Sequence, residues 1–197
     1  RSGVETPRHY PARQTLESIQ AIARRHRIPA GHAFMIQQNP EAIDAGVFHN
    51  DVICVGHLGV LFYHEQAFAG GPSSLDRLSR AFLDQYGRPL DRIEVPESRV
   101  SLEECVRTYL FNSQVLSLPD KQVLLAVPAD CLEDGPVPEL LSEWVEDSDN
   151  PVGEIVSFNL RESMRNGGGP ACLRQRIVLS KQEASRLRGR VFLDQSL

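Results

Sequence analysis

Three polar side chains, His49, Asn50 and Asp51, stand where a loop leads into an apolar run that begins at Val52. Histidine is the side chain best suited to move a proton near neutral pH. If this segment is extended, Asp51 points to the same side as His49, because alternate residues of a strand share a face. A carboxylate there could orient the imidazole or bind a cation. A turn in which Asn and Asp bond to the local backbone explains the same residues without a catalytic role.

A glycine-rich segment, residues 161–174, is the second candidate site. Its three consecutive glycines at 167–169 allow the backbone to approach a ligand closely, and successive N–H groups could hold an anion. Cys172 follows them at the start of a predicted strand. The three arginines of the segment would lower the pKa of this thiol if they lie close to it. The segment matches neither the dinucleotide-binding nor the phosphate-loop pattern. A flexible turn beside a buried cysteine is the alternative interpretation.

The remaining residues of functional type have simpler interpretations. Cys54 lies in an apolar strand, Cys105 on the apolar side of a helix and Cys131 after a strand, so all three are predicted to be small buried side chains. Arg13 precedes a predicted helix and could grip a carboxylate through its planar guanidinium, or it is a solvated surface arginine. The histidines and cysteines lack the paired spacing of a zinc site, and no metal is predicted.

The elements that must position these residues alternate between strands and helices. Capping residues and helical spacing of apolar side chains predict helices over 15–26, 75–86, 101–109, 139–145 and from 180 onward. Runs rich in β-branched and aromatic residues predict strands over 33–37, 52–55, 60–63, 92–95, 114–117, 122–127, 155–159 and 173–179. This order contains two ββαβ units. It predicts a single α/β body over residues 1–197, built from repeated small units.

The overall composition excludes several classes of protein. The chain has 197 residues, with 21 Lys and Arg against 26 Asp and Glu, a net charge of −5. This mild acidity gives no general attraction to nucleic acid or to an anionic membrane. No apolar run approaches the roughly 20 residues that a membrane helix needs. Four cysteines without a paired spacing, and without an N-terminal signal pattern, favour a reduced cytoplasmic protein.

Several longer motifs, taken in order along the chain, resemble those of one enzyme family. They are YPARQT at 10–15, QQNP at 37–40, GVFHNDV at 46–52, TYLFNSQ at 108–114, LRESM at 160–164 and NGGGPACLR at 166–174. This set is similar to that of the N-succinylarginine dihydrolases and spans nearly the whole chain. The resemblance implies a guanidine-modifying enzyme of the pentein superfamily. The fold implied is α/β, part of a five-bladed α/β-propeller built from ββαβ units.

The same resemblance implies a reaction and a set of residues. The family hydrolyses N2-succinyl-L-arginine to N2-succinyl-L-ornithine, two ammonia and carbon dioxide, without a metal or organic cofactor. By motif, Cys172 is the nucleophile and His49 is the general acid and base. Arg13, Asp51 and Asn166 bind the substrate. The protein is expected to be cytoplasmic and, at full length, a homodimer that binds this small molecule and neither nucleic acid nor a membrane.

The resemblance also implies that this chain is part of a longer protein. The family's usual chain is roughly twice as long, and no segment here matches the surroundings of the catalytic glutamate in its N-terminal half. The chain is therefore expected to hold about half of the propeller, to lack the N-terminal half and the C-terminal end, and to be inactive alone.

Three other functions are compatible with a cysteine and a histidine. An arginine deiminase or amidinotransferase of the same fold would also use a cysteine and a histidine, and would act on free arginine in place of its succinylated form. A non-catalytic module would use the glycine segment to bind an anionic metabolite or a partner. A papain-like amidase would cleave ordinary amides and would need no carboxylate for a guanidinium.

Overall fold

The computed structural model describes residues 5–118, 122–169 and 179–188. The α-helices are α1 (Leu16–Arg25), α2 (Pro40–Asp44), α3 (Asp76–Tyr86), α4 (Leu102–Thr108), α5 (Pro136–Glu146), α6 (Arg161–Arg165) and α7 (Lys181–Ala184). The strands are β1 (Cys54–His57), β2 (Val60–His64), β3 (Asp91–Val95), β4 (Gln114–Ser117), β5 (Val123–Pro128) and β6 (Val152–Phe158). The strand predicted over 173–179 lies outside the described residues except for Leu179.

Two ββαβ units with the same topology make up the described sheets. In the first unit, β1 pairs antiparallel with β2, and β2 pairs parallel with β3 after the chain crosses over through α3. In the second unit, β4 pairs antiparallel with β5, and β5 pairs parallel with β6 after α5. The predicted α/β class and the two predicted units are therefore confirmed.

Capping residues define several helix ends as the sequence predicts. The side chain of Thr15 accepts a hydrogen bond from Ser18 N–H at the start of α1, and Ser101 accepts from Glu104 N–H at the start of α4. Helix α7 begins with a complete capping box formed by Ser180 and Glu183.

The strand predicted over 33–37 is wrong. These residues form a loop, which is followed by an isolated antiparallel bridge between Gln38 and Phe68. Among the described residues this apolar run has no neighbouring strand to pair with. Its backbone groups bond individually, and Ala69 N–H, for example, donates to the carbonyl of Gln37. The strand predicted from Val52 begins later, at Cys54, because Val52 belongs to the 3₁₀ turn Asn50–Val52.

One hydrophobic core joins the two units. Phe62 of β2 and Trp144 of α5 are in edge-to-face contact, with ring centroids 5.4 Å apart. Phe111 is fully buried in the 3₁₀ turn Leu110–Asn112 between the units. Its ring centroid lies 4.4 Å from that of Phe62. Aromatic pairs at these distances add to the burial of apolar area. The turn that precedes β4 is thereby fixed against the first unit.

Equivalent positions of the two units are in contact. The Asn50–Val52 turn precedes β1 and the Leu110–Asn112 turn precedes β4, with their first residues 60 positions apart. Strand β1 contacts both β4 and the second turn. At the other end of these strands, His57 Nε2 lies 2.8 Å from the hydroxyl of Ser117, again 60 residues along the chain. The two first strands of the units are therefore neighbours, and their starting ends lie together.

Helix α1 carries no buried residue, although its apolar side chains are on one face. The segment before it is tied to the first unit by Asp44. The backbone N–H groups of Arg8, His9 and Tyr10 donate to this carboxylate at 2.7–3.2 Å. These bonds, first among them that from Arg8, lower the pKa of Asp44.

Within the described residues, no helix is long and apolar enough to cross a membrane.

We expect replacement of Phe111 by alanine to cost about 3–5 kcal/mol of unfolding free energy, because it opens a cavity at the junction of the units. Phe158→Ala is the matched control, since that ring is 52% exposed, and surface changes stay within about 0.5 kcal/mol. Urea denaturation followed by the fluorescence of Trp144 measures both. An equal loss of unfolding free energy in the two variants would contradict a core shared by the two units.

The three described cysteines are buried, as predicted, and have free thiols. Burial raises the pKa of Cys54 and of Cys131 to about 12, and it raises the pKa of Cys105 as well. Thiols of the unfolded chain ionise near pH ~8.5, whereas the folded thiols stay protonated there. The unfolding free energy is therefore expected to fall as the pH rises from about 8.5 toward 12.

Urea denaturation at several pH values above about 8 measures this decline. Cys131→Ala removes one ionising thiol and should make the slope shallower by up to about 1.4 kcal/mol per pH unit. An unchanged slope in this variant would show that the thiol does not contribute.

Candidate active site

His49 is positioned by the local fold between α2 and β1. Helix α2 ends at Asp44, and Gly46 continues the chain with φ at 107°, a value that L side chains rarely adopt. Val47 and Val52 on either side of His49 are buried in the first unit. His49 lies between them as the N-cap of the Asn50–Val52 turn, and its side chain is 32% exposed. Two buried valines thus anchor a partly exposed imidazole.

The imidazole of His49 has a defined hydrogen bond. Its Nδ1 accepts from the backbone N–H of Asp51 at 3.0 Å. In this geometry the neutral ring holds its proton on Nε2. The Asp51 carboxylate lies on the same side of the ring, with Oδ1 3.7 Å from Nδ1 and the side chain 40% exposed.

The predicted pairing of His49 and Asp51 is correct, but its predicted geometry is wrong. The prediction holds for an extended segment, in which alternate residues share a face. The chain instead turns, because His49 caps a 3₁₀ helix and draws the Asp51 N–H toward its ring. The carboxylate approaches the imidazole as a consequence of this cap.

Cys172 lies outside the described residues, and so does Arg174. The described part of the glycine segment ends at Gly169, which is buried. A Cβ built on Gly169 would collide with Oδ1 of Asn112 and would lie 3.2 Å from Cδ1 of Tyr109. Asn112 Nδ2 in turn donates to the carbonyl oxygen of Asp51 at 3.4 Å. Asn112 therefore contacts both the described end of the glycine segment and the turn that carries His49.

Two arginines of this segment pair with nearby carboxylates. Arg161 pairs with Asp130 and Glu133, which follow β5. Arg165 pairs with Glu162 of its own helix at 2.8 Å. The predicted effect of these arginines on the pKa of Cys172 stays a prediction, because Cys172 lies outside the described residues.

Asn166 and Arg13 lie in exposed positions. Asn166 is the C-cap of α6, and its Nδ2 donates to the carbonyl of Glu162 at 2.8 Å. Arg13 lies between the segment held by Asp44 and the N-cap of α1. The described contacts do not bring either residue to His49.

A surface pocket of about 550 Å³ does not coincide with these residues. It lies between the start of the described chain and α2, and it is lined by Glu5, Thr6, Arg8, His9, Pro40, Glu41 and Asp44. Among the residues that the structure describes, no three His, Cys, Asp or Glu side chains form a group that could hold a metal ion.

His64 shows what a structural histidine looks like in the same fold. Its Nδ1 also accepts from the N–H two residues ahead, that of Gln66. It is fully buried, however, and its Nε2 lies 3.0 Å from the carbonyl oxygen of Val100 and 3.3 Å from Oε2 of Glu97. Both ring nitrogens are thus engaged, and Nε2 joins the end of β2 to the segment before α4. His49 shares the local bond but retains access to solvent.

Tyr109 and Asn112 also belong to this region, although no local sequence pattern predicted it. They belong to the motif TYLFNSQ, which contributed only to the resemblance. Their signal was positional, because the turn before the first strand recurs in both units 60 residues apart.

Known proteins resemble this chain over nearly its whole length. The sequence profile of the family described as succinylarginine dihydrolase matches residues 1–197. An N-succinylarginine dihydrolase from Chromohalobacter salexigens is 48% identical over 99% of the chain and 43% of its own length. Those from Serratia proteamaculans and Burkholderia lata are 49% and 46% identical, over 99% and 97% of the chain and 43% and 42% of their own lengths. The chain spans less than half the length of these relatives. It belongs to the succinylarginine dihydrolase family.

Proposed function

We propose that this chain supplies the His49, Asp51 and Cys172 part of an active site that hydrolyses the guanidino group of N2-succinyl-L-arginine. The observation that carries the proposal is the partly exposed His49–Asp51 pair, which is connected through Asn112 to the buried Gly169, three residues before Cys172. The printed activity of the relatives, N-succinylarginine dihydrolase, supports the substrate.

In this proposal Asp51 holds the substrate cation. A guanidinium carbon is electron-poor only while the group stays protonated, and a carboxylate pairs with its planar fork of N–H donors. Asp51 is suited to this role because its main chain is fixed at both ends of the residue. Its N–H donates to His49 and its carbonyl accepts from Asn112, so the carboxylate is presented from a rigid backbone.

His49 transfers the protons, and the Asp51 carboxylate stabilises its imidazole in the protonated state. When the ring is protonated, Nδ1 can no longer accept the Asp51 N–H. The Nδ1–H then has the Asp51 Oδ1, 3.7 Å away, as its partner. Nε2 transfers its proton to the departing ammonia. The deprotonated Nε2 can then accept a proton from the attacking water. A single carboxylate thereby serves both the imidazolium and the substrate cation.

Cys172 forms the covalent intermediate in this scheme. Its thiolate adds to the guanidinium carbon, and the C–N bond to one terminal nitrogen breaks with release of ammonia. Water then displaces the sulfur from the resulting thiouronium and gives the ureido compound. A second addition releases the second ammonia, and hydrolysis of the thiocarbamate gives a carbamate that loses carbon dioxide. Two waters are consumed, and N2-succinyl-L-ornithine remains.

The proposal assigns the other predicted residues to binding. Arg13 would hold a carboxylate of the substrate, and Asn166 would bind the substrate from the start of the glycine segment. The catalytic glutamate implied by the resemblance would come from the part of a full-length protein that lies outside this chain.

The proposal extends to the architecture. The two ββαβ units are taken as successive blades of a five-bladed propeller, of which the chain forms about half. Equal topology of the units and the contact between β1 and β4 support this arrangement. In such a propeller the starting ends of successive first strands meet at one place, as the Asn50–Val52 and Leu110–Asn112 turns do here.

Release of two ammonia per N2-succinyl-L-arginine is the expected result for a full-length protein that carries this chain. The ammonia and the remaining substrate are measured together, with the 197-residue chain alone assayed beside it. Cys172→Ser should abolish release, because a hydroxyl is a far weaker nucleophile than a thiolate near neutral pH. Turnover that survives this change would remove the nucleophile assignment.

Other stoichiometries separate the alternatives. One ammonia per substrate, or equal turnover of free arginine, would identify a deiminase-like enzyme. Absence of ammonia from the full-length protein would favour a non-catalytic module that binds an anionic metabolite.

Asp51→Asn is expected to lower kcat/KM at least about 100-fold, equivalent to roughly 3 kcal/mol, because a neutral amide cannot pair with the guanidinium or the imidazolium. Both described main-chain bonds of residue 51 survive the change, so the fold of the turn is retained. Asp84→Asn on the exposed face of α3 is the matched control. Steady-state kinetics on N2-succinyl-L-arginine measures both variants, and a D51N protein as active as D84N would overturn the role.

A further inference from the structure

The turn between α4 and β4 has an unusual backbone. Tyr109 ends α4 and begins the Leu110–Asn112 turn with φ 57° and ψ 32°, in the left-handed region. This conformation costs a residue with a side chain about 1–3 kcal/mol and persists only where its surroundings impose it. Leu110 and Phe111, both fully buried, impose it here. The result is a rigid turn whose last residue, Asn112, is 2% exposed.

The Asn112 side chain lies between the two segments of the candidate active site. Its Nδ2 donates to the carbonyl oxygen of Asp51 at 3.4 Å. Its Oδ1 lies so close to Gly169 that an added Cβ would collide with it. The ring of Tyr109 borders the same glycine from the other end of the turn, with Cδ1 3.2 Å from that Cβ position. One buried amide thus separates the Asp51 backbone from the glycine segment.

We propose that Asn112 is a positioning residue, which sets the distance between the His49–Asp51 turn and the segment that leads to Cys172. The inference rests on the proposed function and adds a residue to it. The side chain has a fixed length and joins the two segments from a turn that the core holds rigid. Misplacement of reacting groups by about 1 Å can cost 10²-fold in rate. Gly169 is required because any side chain at that position would push the segment away from Asn112.

A purely structural role for Asn112 is the competing explanation. Removal of a buried amide would then lower the stability of the protein and leave the chemistry of the folded fraction intact. A positioning role predicts a loss that falls mainly on kcat, because every binding side chain is retained while the spacing between the Asp51 turn and the glycine segment changes. It also predicts that the effects of Asn112 and Gly169 depend on each other.

The test is a double-mutant cycle in a full-length protein that carries this chain. Asn112→Ala and Gly169→Ala are each expected to lower kcat on N2-succinyl-L-arginine about 10²-fold, with KM changed less than about threefold. The double variant should be no slower than the slower single variant, because loss of the amide makes room for the added methyl group. Asn150→Ala, in the loop before β6, is the control and should retain the parental kcat.

Independent effects would multiply to about 10⁴-fold in the double variant, and this result would overturn the proposal. A parental kcat in Asn112→Ala would overturn it as well. If that variant does not fold, Asn112→Asp keeps the shape but turns an acceptor toward the Asp51 carbonyl, and it should lose kcat in the same way. An inactive parent protein would instead refute the proposed function, and the positioning role with it.

Discussion

The contact of Phe111 with Phe62 is the interaction on which the rest of this structure depends. It joins a ring from the turn between the two units to a ring from the sheet of the first unit, with Trp144 completing the cluster from the second unit. Burial of apolar area is the main favourable term in folding, and here it also sets geometry. Asn112 follows Phe111 directly, so the packing of one aromatic ring determines where the next side chain meets Asp51.

The candidate active site uses two kinds of restraint. Hydrogen bonds of the main chain hold the backbone of Asp51 at its N–H and at its carbonyl, through His49 and Asn112. The side chains of His49 and Asp51 keep part of their exposure and remain available to a substrate. Reactive groups presented from a rigid backbone need little reorganisation when they act. Unlike His49 and Asp51, the three described cysteines are buried, and burial disfavours the thiolate that a nucleophile requires.

Much of the fold could be predicted from local signals, and the errors have a physical cause. Alternating and helical patterns located both ββαβ units, and Thr15 and Ser101 marked the starts of α1 and α4, which lie outside the units. The strand expected over 33–37 failed because a strand needs a partner, which an apolar run does not provide by itself. The pairing of His49 with Asp51 was expected for an extended chain and arises from a cap, which alternation of side chains does not reveal. The position of Cys172 stays a prediction, since it lies outside the described residues.

The sequence by itself determined the residue types that can perform the chemistry, the family to which the chain belongs and the order of its strands and helices. These depend on side-chain identity and on spacing within a few residues, which a single sequence displays. The tertiary structure alone decided that the turn before β4 lies against the turn before β1 and that Gly169 lies against Asn112. Contacts between residues about 60 positions apart follow from the packing of one core around Phe111, and no local pattern records how that core closes.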